Sequence, residues 1–200
     1  MSSMKVKAKE KDGIVEVKAL LNRLGNTRPK IAILSATESA IASVPSSMDA
    51  AALVEWARAE LADVDVSGPL AFDLIMSPEA AATKKLTDDP VAGHADAIIV
   101  PDIVSGNALF KAFVYFTGGC AAGLVTGAKV PILLTSRADP PFCASTPVTN
   151  PKGLNARSIA YSPDWVERCQ PRRLFAWAAS RVIRDSCTCW CTGKTALSKP

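Results

Sequence analysis

The chain is poor in groups that titrate near neutral pH, and it has no apolar run of membrane length. It contains one histidine, His94, among 200 residues. No uninterrupted apolar stretch approaches the roughly 18 residues that a membrane span needs. A Walker loop and a GxGxxG turn after a strand are also missing, which argues against a nucleotide-binding fold of either kind. His94 falls in a predicted surface turn, which argues against catalysis by histidine.

Cysteine is nearly absent from the first 139 residues, where Cys120 is the only one. A small buried hydrophobic residue is a better interpretation of Cys120 than a nucleophile. This low cysteine content fits a reducing cytoplasm. Near the C-terminus, the spacing Cys187-x-Cys189-x-Cys191 differs from the C-x₂-C pairs of structural zinc sites, and no histidine is nearby. The sequence therefore predicts no metal site.

Composition changes sharply after Asp139. Residues 1–139 carry 14 basic and 16 acidic side chains, whereas residues 140–200 carry nine and three. The formal net charge of +4 is thus an average over two unlike parts, and it does not indicate a nucleic-acid or membrane partner. We divide the chain into an N-terminal extension and helix (1–27), a main lobe (28–139) and a tail (140–200).

The lysine-rich start of the chain, residues 5–11, has no apolar core of the kind found in a secretory signal. It is predicted to be a frayed, solvated end rather than an interaction arm.

Apolar runs of strand length alternate with segments of helical periodicity. The strand predictions cover residues 30–36, 95–100, 124–125 and 130–135. The helix predictions cover residues 14–25, 45–62, 77–86, 105–117 and, in the tail, 171–184. Serine is expected to cap the second helix, with Asp49 in its first turn, and Ser77 is expected to cap the third. This alternation predicts an α/β fold with a mainly parallel sheet, followed by an irregular C-terminal tail.

The run Val130–Thr135 ends in Ser136 and Arg137. A buried strand that delivers a hydroxyl and a guanidinium to the carboxyl edge of a parallel sheet places them where ligands bind in such folds. The planar guanidinium matches phosphate or carboxylate in shape and charge. These two residues are therefore predicted to form part of an anion site.

A second candidate is the loop between the strand over 95–100 and the helix that follows. Gly106 would let a ligand approach the backbone, and the free N–H groups of a helix start favour an anion. Asn107 and Lys111 lie one turn apart, so both side chains can face the same ligand. A plain capped turn is the alternative.

Two further positions follow or enter predicted strands. Ser35 lies at the C-terminal end of the strand predicted over 30–36, and it is either a residue of the cleft or an N-cap for the next segment. Gly68, with Asp73 beyond it, belongs either to a functional loop or to a turn that begins a strand. The residues alone leave both alternatives open.

Six motifs occur in one order along the chain. They read ILSATES at 33–39, SVPSSMDAAAL at 43–53, SGPLAFD at 67–73, PVAG at 90–93, ADAIIVPDIVSGNALFKAFVYF at 95–116 and AAGLVTGAKVPILLTSRAD at 121–139. Together they resemble the C-terminal half of the phosphate acetyltransferase/phosphate butyryltransferase family. They are most similar to its butyryltransferase-like members and to the domain fused behind an enoyl-CoA hydratase-like MaoC domain. The resemblance covers roughly residues 28–139.

The resemblance implies the reaction acyl-CoA + phosphate ⇌ acyl phosphate + CoA, with CoA as a substrate and no permanently bound cofactor. It also implies a Rossmann-like lobe, one of two, in a fold similar to isocitrate and isopropylmalate dehydrogenases, with the active site between the lobes. Carried onto this chain, Ser136 donates to the carbonyl or leaving group and Arg137 binds phosphate. Gly106, Asn107 and Lys111 match the GN-x-x-x-K element of the family.

The chain departs from the family pattern at both ends. Only 27 residues stand where the resemblance expects an N-terminal lobe. The aspartate expected some seven residues after Ser136 falls on Cys143, and Asp139 is a poor replacement for it. The tail is enriched in cysteine, tryptophan, arginine and proline. This composition is typical of out-of-frame translation of a GC-rich gene. We therefore interpret the tail as the product of a frameshift near residue 139, with a genuine C-terminal module as the alternative.

These departures predict a truncated phosphate acyltransferase with little or no activity alone. It would form a homo-oligomer or pair with a missing N-terminal lobe. A non-catalytic binding or assembly module is the alternative. A dehydrogenase of the related fold is disfavoured, because the metal-binding aspartates that its chemistry requires are missing.

Overall fold

The computed structural model describes the backbone of six segments of the chain: residues 2–23, 25–117, 119–125, 132–134, 173–177 and 188–194. The predicted tail and the residues around Ser136 fall largely outside these segments. Of the helices that the structure describes, none combines the length and the apolar character of a bilayer-spanning segment.

A parallel three-stranded sheet forms the centre of the main lobe. Its strands are β1 (Lys30–Leu34), β2 (Asp65–Leu70) and β3 (Ala97–Ile99). The order is β2-β1-β3, so β1 lies in the middle. Short apolar strands of this kind are stable when both faces of the sheet are covered.

Alternating residues of β1 pack into two separate apolar clusters. Ile31 and Ile33 belong to one cluster, and Ala32 belongs to the other, with Leu34 packed against it. Helices α1 (Ser2–Arg23) and α2 (Pro45–Glu60) supply most of the other residues of the first cluster, and β2 and β3 supply the remainder.

The opposite face of the sheet is covered by shorter helices. These are α3 (Phe72–Met76) and α4 (Pro78–Thr83), and Leu109 of α5 (Ile103–Thr117) packs against the same cluster. The result is a layer of helices on each side of a parallel sheet. The prediction of an α/β fold is confirmed for this part of the chain.

Helix α1 begins at Ser2, twelve residues before the predicted start, so the prediction of a frayed N-terminus is wrong. Its buried residues Glu10, Ile14, Val17 and Leu21 recur every three or four positions, which is the spacing of one helical face. The first turns are polar, so apolar periodicity alone did not reveal where the helix begins. The helix ends at Arg23, and Gly25 follows it with a φ of +94°.

The start of α2 also differs from the prediction. Val44 occupies the N-cap position and makes no side-chain cap bond, and the first turn holds no acidic residue. Instead, the Ser47 hydroxyl accepts from the Ile41 N–H at 2.9 Å and donates to the Val44 carbonyl at 2.7 Å. Serine therefore secures the start of the helix from inside its first turn. In α4, by contrast, the predicted Ser77 cap is confirmed, because its Oγ accepts from the Ala80 N–H at 3.1 Å.

Four more strands form a second sheet, which is antiparallel. They are β4 (Gly119–Val125), β5 (Ile132–Leu134), β6 (Arg173–Trp177) and β7 (Thr188–Lys194), in the order β5-β4-β7-β6. Their pairing is antiparallel throughout. The prediction of a mainly parallel sheet therefore holds only for β1 to β3.

Two of these strands lie in the segment that was predicted to be irregular. The helix predicted over 171–184 is wrong for Arg173–Trp177, which forms β6. Bulky aromatic residues favour strands when a pairing partner is available, and here Phe175 pairs with Trp190 of β7. Because that partner is distant in sequence, local periodicity could not reveal it.

Candidate functional site

The carboxyl ends of β1, β2 and β3 meet at one edge of the sheet, because the three strands are parallel. Ser35 follows β1 directly, Asp73 lies in the first turn of α3 after β2, and Asp102 precedes α5 after β3. Three separate segments therefore bring polar side chains to one edge. This is the edge at which ligands bind in open α/β sheets.

Ser35 is buried at this edge, with 6% of its surface exposed. Its backbone N–H donates to the Leu70 carbonyl at 2.9 Å, which ties the end of β1 to the end of β2. Its hydroxyl oxygen lies 3.1 Å from that of Ser46, in the first turn of α2. The two hydroxyls form a fixed pair that joins the sheet edge to the helix start, and this is a different arrangement from a simple N-cap.

A cavity of about 150 Å³ lies beside this hydroxyl pair. Its lining combines apolar residues at the ends of β1 and β3 with the Ser46 hydroxyl and the carboxylates of Glu10 and Asp49. Glu10 reaches the cavity from α1 and is only 4% exposed. A space of this volume admits a small organic molecule.

Lys84 is shared by two carboxylates at the same edge. Its Nζ lies 2.6 Å from Oε1 of Glu38, which follows β1, and 3.1 Å from Oδ2 of Asp73. These hydrogen bonds lower the pKa of both carboxyl groups below their ordinary values. They also raise the pKa of the Lys84 ammonium, chiefly through Glu38. The three side chains are therefore charged together at neutral pH.

Helix α5 carries the predicted GN-x-x-x-K element. It starts at Ile103, two residues earlier than predicted, because Asp102 caps it: the Ser105 N–H donates to Asp102 Oδ1 at 2.8 Å. Gly106 is buried and Asn107 is exposed. Lys111 is half-buried, and its Nζ lies 5.4 Å from the ring centroid of Phe110. The binding role of these three residues remains a prediction.

Gly68 lies within β2, against the backbone of β1. A β-carbon added to it would come 2.9 Å from both Cβ and the carbonyl oxygen of Ile33. This close approach accounts for a glycine by packing alone. Its predicted contact with substrate remains a prediction.

The two residues predicted to be catalytic, Ser136 and Arg137, lie outside the described residues, as do Asp139 and Cys143. His94 is exposed and its N–H closes a turn onto the Val91 carbonyl at 2.9 Å, in agreement with the predicted surface turn. Within the described segments, no group of three or more His, Cys, Asp or Glu side chains is arranged to hold a metal ion.

Sequence reasoning missed most of the partners at this edge. Glu38 and Lys84 lie 46 positions apart, and no local pattern links them. Ser46 was seen only as part of a helix start. The cap of α5 did have a signal, because Asp102 stands three residues before Ser105, which is the spacing of an acidic N-cap.

The layered fold and the polar carboxyl edge define an α/β protein whose candidate site lies at the edge of β1 to β3. A family model described as "Phosphate acetyl/butaryl transferase" matches residues 7–141. The chain belongs to this family. The resemblance to the phosphate acetyltransferase/phosphate butyryltransferase family is therefore confirmed, and the match begins earlier than residue 28.

Individual relatives agree with this assignment. The chain is 49% identical to a phosphate acetyltransferase of Rhizobium meliloti, over 58% of this chain and 37% of the relative. It is 45% identical to a probable phosphate butyryltransferase of Bacillus subtilis, over 58% of this chain and 39% of the relative. The chain thus spans well under half the length of these two relatives.

A solved structure supports the fold. The crystal structure of a branched-chain phosphotransacylase from Enterococcus faecalis superposes with a TM-score of 0.62 at 37% sequence identity. The match covers 66% of this chain and 48% of that one.

Proposed function

We propose that this chain forms part of a phosphate acyltransferase that catalyses acyl-CoA + phosphate ⇌ acyl phosphate + CoA. The family match over residues 7–141 carries this proposal. The names of the relatives, phosphate acetyltransferase and phosphate butyryltransferase, support it. CoA is a substrate here, and the reaction needs no permanently bound cofactor.

The chemistry assigns separate roles to the predicted residues. Arg137 binds the phosphate group through its guanidinium, and Ser136 donates a hydrogen bond to the carbonyl or the leaving oxygen. Gly106, Asn107 and Lys111 contact the substrate from the start of α5. The CoA thiol attacks the acyl carbonyl directly, so both substrates must be held together in the cleft.

The described sheet would be the core of one lobe of a two-lobe fold like that of the isocitrate and isopropylmalate dehydrogenases. A second lobe, from another copy or another chain, would supply the facing wall of the cleft. Residues 140–200 would be foreign to the family and derive from a frameshift. The protein would act in the cytoplasm.

This chain has a poor candidate for the group that accepts the proton of the CoA thiol. The resemblance places an aspartate at the position of Cys143, and a thiol is a poorer general base at neutral pH than a carboxylate. We therefore expect the purified chain to transfer acyl groups slowly or not at all.

Thioester formation from CoA and either acetyl or butyryl phosphate tests the proposal. The comparison uses the wild type and the variants Cys143→Asp, Arg137→Ala and Cys143→Asp/Arg137→Ala. Arg58→Ala, which removes an exposed arginine of α2, is the matched control. Cys143→Asp should increase the rate about 100-fold, as expected for a restored general base, and Arg137→Ala should remove the gain. Fast transfer that survives Arg137→Ala would contradict both the slow rate and the site.

A non-catalytic assembly module is the second candidate, and the surface of α5 favours it. Val104, Tyr115 and Phe116 are 74%, 69% and 88% exposed. Exposed apolar residues on one helix are typical of surfaces that associate with another chain. Mixing the chain with a full-length relative and measuring both co-elution and transfer distinguishes the candidates. Co-elution with no transfer by this chain's own site would support the module.

A further inference from the structure

The Glu38–Lys84–Asp73 cluster connects three segments that are distant in sequence. Glu38 belongs to the segment between β1 and α2, Asp73 to the first turn of α3, and Lys84 to the residue that ends α4. The ammonium nitrogen of Lys84 lies within 3.1 Å of a carboxylate oxygen of Glu38 and of a carboxylate oxygen of Asp73. Lys84 is therefore the link between the segment that follows β1 and the helices that follow β2.

The segment that Lys84 holds has few other anchors along its length. Residues 36–44 form no helix or strand, and most of them are exposed. At one end, Ser35 is fixed by its bonds to Leu70 and Ser46. At the other, Ile41 is bonded to the Ser47 hydroxyl. Glu38 lies between these two ends, so its ion pair with Lys84 fixes the middle of the segment.

The positive charge of Lys84 also affects how the two carboxylates of the cluster interact with each other and with an anion. Without Lys84, two carboxylates from different segments would lie close together with no cation between them. Like charges at short range repel, and each also repels an approaching anion. Both substrates of the proposed reaction, CoA and an acyl phosphate, are anions.

We propose that Lys84 is a positioning residue at the carboxyl edge of β1 to β3. It holds residues 36–44 against α3, and it offsets one of the two negative charges of the carboxylates that flank the approach of the anionic substrates. The substrate half of this inference rests on the proposed function, whereas the positioning half does not. Isolated surface ion pairs contribute little, but one lysine shared by two carboxylates forms a network whose contribution exceeds that of a single pair.

The test compares four full-length chains: the wild type, Lys84→Gln, Lys84→Arg and Lys85→Gln. Lys85 is the neighbouring exposed lysine, so its variant removes the same charge outside the cluster. Amide hydrogen exchange of peptides covering residues 36–44 is measured first. Exchange should be about fivefold faster in Lys84→Gln, close to wild type in Lys84→Arg and unchanged in Lys85→Gln. Equal exchange in Lys84→Gln and Lys85→Gln would overturn the positioning role.

Binding of CoA, measured by calorimetry at low and high salt, tests the substrate half. Lys84→Gln should weaken binding about fivefold at low salt and less at high salt, because screening reduces repulsion between exposed charges. Lys84→Arg keeps the positive charge, so it should bind CoA as the wild type does. If Lys84→Gln weakened binding only by disturbing the structure, the loss would be the same at low and high salt. Unchanged CoA affinity in Lys84→Gln would overturn this half. A wild-type chain that does not bind CoA would contradict both the proposed function and this half, and hydrogen exchange alone would then decide the positioning half.

Discussion

Gly93 and Pro78 approach so closely that a β-carbon on Gly93 would lie 2.6 Å from the Pro78 Cα. Gly93 also has a φ of +72°, in the left-handed region that L side chains rarely adopt. Its N–H donates to the Leu74 carbonyl at 2.6 Å. At Gly93, the loop before β3 therefore meets the junction of α3 and α4 through backbone atoms.

Replacing Gly93 with alanine should destabilise the protein by about 3 kcal/mol, because strain at positive φ adds to a clash with backbone that cannot move aside. Gly25→Ala is the matched control. Gly25 has a φ of +94°, but nothing lies within 4 Å of its added β-carbon, so the cost should be about 1 kcal/mol. Urea unfolding of both variants measures the difference. Equal losses of stability would show that the contact with Pro78 is unimportant.

Gly68→Ala should also destabilise the fold, by about 1–3 kcal/mol, because the new β-carbon would push β2 away from β1. Adding Ile33→Ala should not restore stability, since the two atoms in contact, the Cβ and carbonyl oxygen of Ile33, are present in alanine as well. Thermal unfolding of the single and double variants tests this. A Gly68→Ala chain with normal stability and weaker CoA binding would instead support the predicted substrate contact.

Removing the cap of α5 should loosen the element that carries Asn107 and Lys111. Asp102 accepts from the Ser105 N–H at 2.8 Å and from its hydroxyl at 2.9 Å. Asp102→Ala should therefore cost about 1 kcal/mol, whereas Asp102→Asn should keep most of the stability because asparagine is an equally good N-cap. Urea midpoints measure both variants. A large loss in Asp102→Asn would mean that the charge of the carboxylate matters more than its hydrogen bonds.

Acid should remove the contribution of the Lys84 cluster to stability. The pKa values of Glu38 and Asp73 are lowered from their ordinary values of 4.5 and 3.8, first through hydrogen bonds from Lys84. A lowered folded-state pKa means that the stabilisation is present above the ordinary value and is lost as the pH falls through the folded-state value. The difference in melting temperature between wild type and Lys84→Gln should thus shrink from about pH 6 to about pH 3. A difference that stays constant over this range would contradict the ion pairs.

Local signals in the sequence predicted β1, β3 and part of the helices correctly, whereas β2 was not among the predicted strands. The apolar run before Pro101 predicted β3, and Ser77 followed by Pro78 predicted the start of α4. Both features depend on residues that are neighbours in the sequence. Long-range packing was not predictable in this way. Helix α1 includes Glu10, whose burial a polar sequence does not suggest.

The candidate site shows the same division. Ser35 was recognised because it follows an apolar run at a sheet edge. The contact between the Ser35 and Ser46 hydroxyls depends on how separate segments pack together, and so does the ion pair between Glu38 and Lys84. This packing cannot be predicted from a single sequence. The antiparallel sheet was missed for a related reason, since β7 pairs with a strand more than sixty residues earlier.

The ladder between β4 and β7 bears on any attempt to remove or replace the C-terminal segment. All seven residues of β4, from Gly119 to Val125, have partners in β7. A chain cut after residue 140, or continued with a different sequence, would leave that side of β4 as an open edge unless the new segment supplied a strand. Open edges recruit strands from other molecules. A chain with an altered C-terminal segment therefore has to be judged by its solubility as well as by its catalytic activity, because β7 covers this side of β4.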